Sequence, residues 1–296
     1  MSQLKKQFAE VKFPVPWGHV AAKVYGSPKE KKILVVHGIL DNAGSFDRLI
    51  ELLPQEYQYV SIDLPGHGFS SPFPSGLPLK FFDYVHTILL VLNTLKWRTC
   101  IYLAHSFGAH IGTYFSVLYP GRLERIIAID GFVSDAIDDI VSRVQDIYNL
   151  NAYSNVGHKL YTKEEVIYAL QYKRKDVLNT EAAEAMFTRA VTKVGDLYKY
   201  NRDPRLRIIV RPMLNIQMHA EFWKKFRTPS LLIVANSSST RDLLNKYAKQ
   251  IESVTKDKSI FDIVSVEGTH DVHNNYPERV APHVYKILKN DTKSKL

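Results

Sequence analysis

Leu103-Ala104-His105-Ser106-Phe107-Gly108-Ala109 joins the apolar run Cys100-Ile101-Tyr102-Leu103-Ala104 to a helix-length segment, Phe107 to Tyr119, that stops at Pro120-Gly121. A serine held where a strand turns abruptly into a helix is pushed out above the sheet. Such a turn accepts only small residues two positions to either side, because strand and helix backbones close on each other there. Ala104 and Gly108 occupy those positions, so the pattern reads A-x-S-x-G in place of G-x-S-x-G. In this setting Ser106 is the candidate nucleophile, and the alternative is a serine that merely caps the helix.

On either side of this turn, strand-length apolar runs alternate with helix-length amphipathic segments. The runs are Ile33 to Val36, Tyr59 to Asp63, Cys100 to Ala104, Arg125 to Asp130, Pro229 to Val234 and Phe261 to Val266. Between them, helices are expected over Ser45 to Leu53, with Ser45 as cap, and over Phe81 to Lys96, Phe107 to Tyr119, Arg241 to Ile251 and Asn274 to Lys289. This rhythm predicts an α/β protein with a mostly parallel sheet covered by helices on both faces. From Phe132 to Thr228 the chain reads as polar, amphipathic and helical, with no strong strand run before Leu206-Arg207-Ile208-Ile209-Val210. The expected division is a core of residues 1–132 and 229–290, a helical cap of 133–228 inserted between two strands, and a short targeting tail, 291–296.

The chain has 296 residues, 45% of them hydrophobic and 23% charged, a balance that excludes collagen, an acidic disordered chain and a disulfide-stapled miniature. Lysine and arginine number 39 against 30 acids, but this surplus of nine is spread along the chain, so no nucleic-acid partner is expected. Cys100 is the only cysteine and is expected to be a buried thiol in a strand. No apolar stretch approaches the ~20 residues that span a bilayer, and the start lacks the apolar core of a secretory signal, so an intracellular chain with no membrane span is expected.

A serine hydroxyl needs a base within hydrogen-bond reach, and on this kind of sheet the base follows the last strand. Gly268-Thr269-His270 does so, which makes His270 the candidate base. The acid that orients it follows either the strand before the cap or the one after. Asp130 ends the earlier strand; the later loop, Ala235-Asn236-Ser237-Ser238-Ser239-Thr240-Arg241-Asp242, offers no carboxylate before Asp242. Asp130 is favoured and Asp242 is the runner-up. Backbone donors for an oxyanion are expected from the amides of Phe107 and of Ile39, in the loop after the first strand. His37, His67, His86, His110 and His219 are expected to be structural, and His273 either lines the pocket or sits as a cap or surface residue. With no H-E-x-x-H, no paired cysteines and no glycine-rich phosphate loop, neither a metal nor a cofactor is expected.

The stretches Val35-Val36-His37-Gly38-Ile39-Leu40-Asp41-Asn42-Ala43-Gly44-Ser45-Phe46 and Asp63-Leu64-Pro65-Gly66-His67-Gly68-Phe69-Ser70, taken with the Ser106 turn, resemble the α/β-hydrolase fold superfamily. Within it, Asn201-Arg202-Asp203-Pro204-Arg205-Leu206 and the ending Gly268-x-His270-x-Val272-His273 resemble the serine hydrolase-like proteins, a peroxisome-associated animal group. The resemblance implies an eight-stranded-type sheet and a serine-dependent hydrolase acting through Ser106, His270 and an acid. The expected substrate is a small acyl compound, a carboxylic ester first and an acyl-CoA thioester second; the rival is a weakly catalytic ligand-binding protein of the same fold. A dehalogenase is disfavoured, since its nucleophile would be an aspartate. Cap aromatics such as Tyr148, Tyr153, Tyr168, Phe187 and Tyr200 either roof a pocket or form the cap's own core, and Arg202, Arg205 and Arg211 either hold a substrate anion or pair within the cap. Ser294-Lys295-Leu296 reads as the C-terminal address recognised by the peroxisomal import receptor, which makes the peroxisome the expected location.

Overall fold

A strand with no polar face must be covered on both sides, and most of the sheet follows that rule. The computed structural model describes residues 6–28, 30–151, 159–208, 210–257 and 260–293. Its strands are β1 (Phe8–Val15), β2 (Gly18–Tyr25), β3 (Lys31–Val36), β4 (Tyr57–Ile62), β5 (Cys100–His105), β6 (Leu123–Ile129), β7 (Val191–Val194), β8 (Leu197–Tyr200), β9 (Ser230–Ala235) and β10 (Phe261–Val266). Eight of them form one sheet in the order β1-β2-β4-β3-β5-β6-β9-β10. β1, β2 and β4 pair antiparallel and every later pairing in the sheet is parallel.

Alternation along the strands builds two apolar layers. Leu34 and Val36 of β3, Tyr102 and Ala104 of β5, and Ile126 and Ala128 of β6 enter one layer, under the helices Phe81–Thr94 and Phe107–Leu118. Ile33, Val35, Ile101, Leu103, Ile127 and Ile129 enter the other, under Asp47–Leu52 and Pro277–Lys293. Cys100 is buried in the first layer, and burial pushes its thiol pKa up to about 12, so it is a packing residue.

Several local expectations are corrected. β1, mostly exposed at the sheet edge, and β2, largely buried between β1 and β4, are not among the expected strands. Ser45 is buried inside a short helical turn, Ala43–Phe46, capped by the side chain of Asn42. Of the run Leu206 to Val210, Ile209 lies outside the described residues and the others form no strand: Asp203 caps a helical turn over Pro204–Arg207, because its carboxylate accepts from the Arg205 amide and pairs with the Arg205 guanidinium. The helix expected over Arg241 to Ile251 breaks at Tyr247 into Thr240–Lys246 and Ala248–Thr255. That expected from Asn274 breaks at Tyr276, giving Val272–Asn275 and Pro277–Lys293.

Between β6 and β9 the chain leaves the sheet. The segment from Tyr161 to Tyr200 carries helices Lys163–Tyr172 and Thr180–Ala190 and the hairpin β7–β8, and it packs a small core of its own around Val166, Met186 and Phe187. Its flanks behave differently: Phe132, Val133, Leu206, Trp223 and Phe226 join the main core. Among the described residues no helix is long and apolar enough to cross a membrane.

Candidate active site

The turn after β5 is strained in the manner its sequence predicts. Ser106 has φ 48° and ψ −114°, a conformation that a β-carbon disfavours and that the surrounding backbone must enforce. Its amide donates to the Ile129 carbonyl at 3.0 Å and its carbonyl accepts from His110 at 3.0 Å. Gly108 is required, since a β-carbon there would lie 2.4 Å from the Val36 carbonyl oxygen. Gly131, which no motif flagged, is required too: its β-carbon would lie 2.6 Å from Ser106 Cα. Ala104, fully buried between Val36 and Ala128 in neighbouring strands, is small enough for the turn to form.

Ser106 makes no side-chain cap; its Oγ lies 2.8 Å from His270 Nε2. His270 Nδ1 in turn lies 2.5 Å from Asp130 Oδ2. Asp130 directly follows β6 with φ 46°, and the loop after β9 fixes its carboxylate. Ala235 N and Ser238 Oγ donate to Oδ1 at 2.9 and 2.7 Å, and Thr240 Oγ1 lies 3.2 Å from Oδ2. The loop searched for an acid thus supplies the donors that hold one, while Asp242 is exposed on the following helix. Burial works against a charged His270, yet the hydrogen bond and charge of Asp130 outweigh it and hold the imidazole pKa above its ordinary value.

Two buried histidines shape the loop after β3. His37 Nδ1 donates to the Gly38 carbonyl and its Nε2 accepts from Leu64 N; His67 Nδ1 donates to the Pro65 carbonyl and its Nε2 accepts from Leu40 N. Each ring uses one nitrogen as donor and the other as acceptor, so both are neutral, and burial lowers both pKa values, that of His67 to about 3. Leu40 is held at φ 65°. Among the described residues no group accepts from the amides of Ile39 or Phe107, which leaves both donors available beside Ser106.

A second set of residues, which sequence reasoning missed, braces the His270 loop. Arg174, from the turn after helix Lys163–Tyr172, reaches Asp41 Oδ1 at 2.8 Å and Asp271 Oδ1 at 2.9 Å. Burial opposes the Asp41 charge, but Arg174 overrides it and keeps that carboxylate ionised. His105 Nε2 lies 2.9 Å from the His270 carbonyl. His273 is not on the surface: it is fully buried between Phe46 and His105, and burial holds it neutral. Asp41, His105 and His273 bring three ligating atoms within 4.8 Å of one another. The guanidinium already seated on Asp41 makes this a poor cation site, and the cluster reads as a buried polar brace. Partners 97 to 133 residues apart leave no local signal to find.

The Ser106 hydroxyl opens into a cavity of about 210 Å³ bounded by Ile39, Leu170, Lys173, Arg202 and His270. Of the cap aromatics, Tyr200 lines it, whereas Phe187 packs on Tyr198 in the segment's own core and Tyr148, Tyr168 and Tyr172 are exposed. Tyr153 lies outside the described residues. Of the three flagged arginines, Arg202 reaches this cavity over the Tyr200 ring, Arg205 is buried in a pair with Asp203, and Arg211 lies elsewhere, 3.7 Å from Asp135. His219 is buried against Tyr114, and His86 is exposed.

The family model described as alpha/beta hydrolase fold matches residues 31–271. Serine hydrolase-like protein of Danio rerio is 30% identical over 97% of this chain and 90% of its own length. Serine hydrolase-like protein 2 of Homo sapiens is 31% identical over 95% and 94%. Among solved structures, a hypothetical protein of Pseudomonas aeruginosa PAO1 superposes with a TM-score of 0.83 at 25% identity, covering 95% of this chain and 97% of that one.

Proposed function

The chain belongs to the alpha/beta hydrolase fold family, as a serine hydrolase-like member, and we propose that it cleaves carboxylic esters through an acyl-enzyme on Ser106. The observation that carries this reading is the unbroken line from Ser106 Oγ through His270 to Asp130, at 2.8 and 2.5 Å. Ser106 Oγ attacks the acyl carbon while His270 Nε2 takes its proton. The carbonyl becomes an oxyanion, to which the Ile39 and Phe107 amides donate. Asp130 holds the imidazole by Nδ1 and offsets the charge it acquires. His270 then gives the proton to the departing alkoxide, the alcohol leaves, and a water activated by the same nitrogen releases the acid and regenerates the serine.

The test is labelling by a fluorophosphonate and turnover of short-chain aryl esters, with Ser106→Ala as control. Both are expected in the parent and lost in the variant. Specific ligand binding with neither labelling nor turnover would overturn the reading in favour of a binding protein. A thioester reading rests on one feature: Lys173, Lys175 and Arg202 border the Ser106 cavity, which suits a leaving group as anionic as coenzyme A. Comparing acyl-CoA with aryl ester of the same acyl group separates the two.

The same reading makes the segment from 133 to 228 a cap over the Ser106 cavity, and makes Ser294-Lys295-Leu296 an import address wherever Leu296 is the free carboxyl terminus. That tripeptide lies outside the described residues. A bulky tag fused after Leu296 is expected to leave the protein out of peroxisomes; undiminished import would reject the address.

A further inference from the structure

The Ser106 cavity does not end at its mouth. An open groove of about 470 Å³ adjoins it, and Ala169, Lys173 and Tyr200 border both. Helix Lys163–Tyr172 presents Glu165, Tyr168 and Ala169 to the groove at i, i+3 and i+4, so one helix face forms one wall. Tyr200, from β8, and Tyr161, bridged to that strand through Tyr198, form the other. The Tyr161 and Tyr200 rings meet at 67° with centroids 5.2 Å apart, and Tyr168 is exposed. Three tyrosine rings around an open space offer a flat ligand edge-on and offset-stacked contacts.

Most charges along this trough are already satisfied. Arg174 holds Asp41 and Asp271, and Lys175 Nζ donates to Ser239 Oγ at 3.1 Å. On the groove, Glu165 Oε2 accepts from the Thr162 amide at 2.9 Å, and the Glu164 carboxylate is drawn to its own amide and the Thr162 hydroxyl, which lower its pKa. Lys173 and Arg202 differ. Among the described residues neither side chain makes a hydrogen bond or an ion pair; Lys173 Nζ lies 5.7 Å from the centre of the Tyr168 ring, and Arg202 Cζ 4.9 Å from that of Tyr200. A ring face orients a cation but leaves its charge in place. Asp176 is the one carboxylate bordering the Ser106 cavity that, among the described residues, lacks a partner, so two cations stand against one anion.

We infer that the substrate carries a flat aromatic ring bearing an anionic group, the ring lying against Tyr161, Tyr168 and Tyr200 and the anion meeting Lys173 and Arg202 through charge-assisted hydrogen bonds. This rests on the reading of Ser106 as the reacting group and names what the substrate holds beyond its reacting carbonyl. The ester of a phenolic acid and the nucleotide end of an acyl-CoA share this chemistry.

Titration calorimetry of the full chain with 4-hydroxybenzoate and with adenosine 3′,5′-bisphosphate tests the inference. One of the two is expected to bind at one per chain, and the tighter names the source of the ring. Its uncharged counterpart, 4-hydroxybenzamide or adenosine, is expected to bind at least tenfold more weakly, as is cyclohexanecarboxylate, which has a charge but no aromatic face. Lys173→Gln combined with Arg202→Gln should weaken the tighter ligand about tenfold. Ala169→Trp, which fills the junction of cavity and groove from a partly exposed position, should do likewise. Arg211→Gln, which removes a cation away from the trough, should leave affinity within twofold. Melting curves confirm that each variant is folded. Equal affinity for the uncharged counterpart, binding untouched by Ala169→Trp, or no saturable binding of either ligand overturns the inference. The readout is binding alone, so an unreactive Ser106 leaves this test intact, and absent binding beside intact ester turnover rejects the inference without touching the serine chemistry.

Discussion

His105 Nε2 lies 2.9 Å from the carbonyl oxygen of His270, 165 residues away. A carbonyl only accepts, so Nε2 carries the proton and His105 donates. The residue before the proposed nucleophile therefore holds the backbone of the proposed base, and the two rings stand 4.7 Å apart. His105 is a positioning residue. His105→Leu leaves that carbonyl without its donor and is expected to lower kcat/KM on aryl esters about 10- to 100-fold, the scale on which small misplacements act. His105→Gln, whose amide can still donate, should retain more. Equal losses in the two variants would argue against a hydrogen-bonded role.

The carboxylate at Asp130 is expected to matter and that at Asp242 is not. Asp130→Asn removes the charge that offsets the imidazolium and favours the wrong tautomer, and should cost on the order of 10⁴-fold in kcat. Asp242 is exposed and, among the described residues, joins no interaction at the site, so Asp242→Asn should leave kcat/KM within twofold. Steady-state kinetics on one ester decides between them.

His270 sets the acid limb of activity. As base it must be neutral, and its pKa stands above the ordinary 6.5, so kcat/KM is expected to rise with pH through a midpoint above that value. Asp130→Asn removes the largest interaction that raises the pKa and leaves burial, which lowers it, opposed by the charges of Asp271 and Asp41 alone. The midpoint should then move to lower pH, which fluorophosphonate labelling rates can report even where turnover is slow. The stability effect has the opposite sense: a raised folded pKa stabilises the fold below the unfolded pKa, and that contribution is lost as pH climbs through the folded value.

Arg174 ties the inserted segment to both Asp41 and Asp271. Arg174→Met leaves two largely buried carboxylates without their cation and is expected to lower stability by about 3 kcal/mol in urea unfolding. Adding Asp41→Asn should return part of that loss. No recovery would mean that Asp271 is the pair that matters.

Ala104 departs from the usual glycine without harm to the turn, since Ser106 reaches φ 48° with alanine in place. Ala104→Gly is expected to destabilise the protein by about 0.5–1 kcal/mol, through the added freedom of the unfolded chain, and to leave ester turnover within twofold. A large gain in activity would show that the alanine restrains the site.

How much was legible in the residues follows from where each interaction lies along the chain. The Ser106 turn and the central strands could be read because their causes are local: a run buried on both faces has no polar positions, and a tight turn excludes side chains beside it. The hairpin β1–β2 was harder, because β1 is mostly exposed and β2 has its apolar residues broken up by Gly18, His19 and Lys23, so neither shows a continuous apolar run. The run that begins at Leu206 misled for the opposite reason, since Leu206 and Val210 serve the core from an irregular path that Asp203 starts.

By itself the sequence determined the doubly covered sheet, the serine set above it and the histidine after the last strand, because patterns of burial and turn sterics are written in neighbouring residues. Tertiary structure alone decided which carboxylate reaches His270, that Ser238 and Thr240 hold it, that Arg174 bridges Asp41 and Asp271, and that His273 is buried. Those outcomes depend on side chains at least 97 residues apart meeting in space, on a geometry that hydrogen bonds and charge resolve to fractions of an ångström and that composition and spacing do not encode.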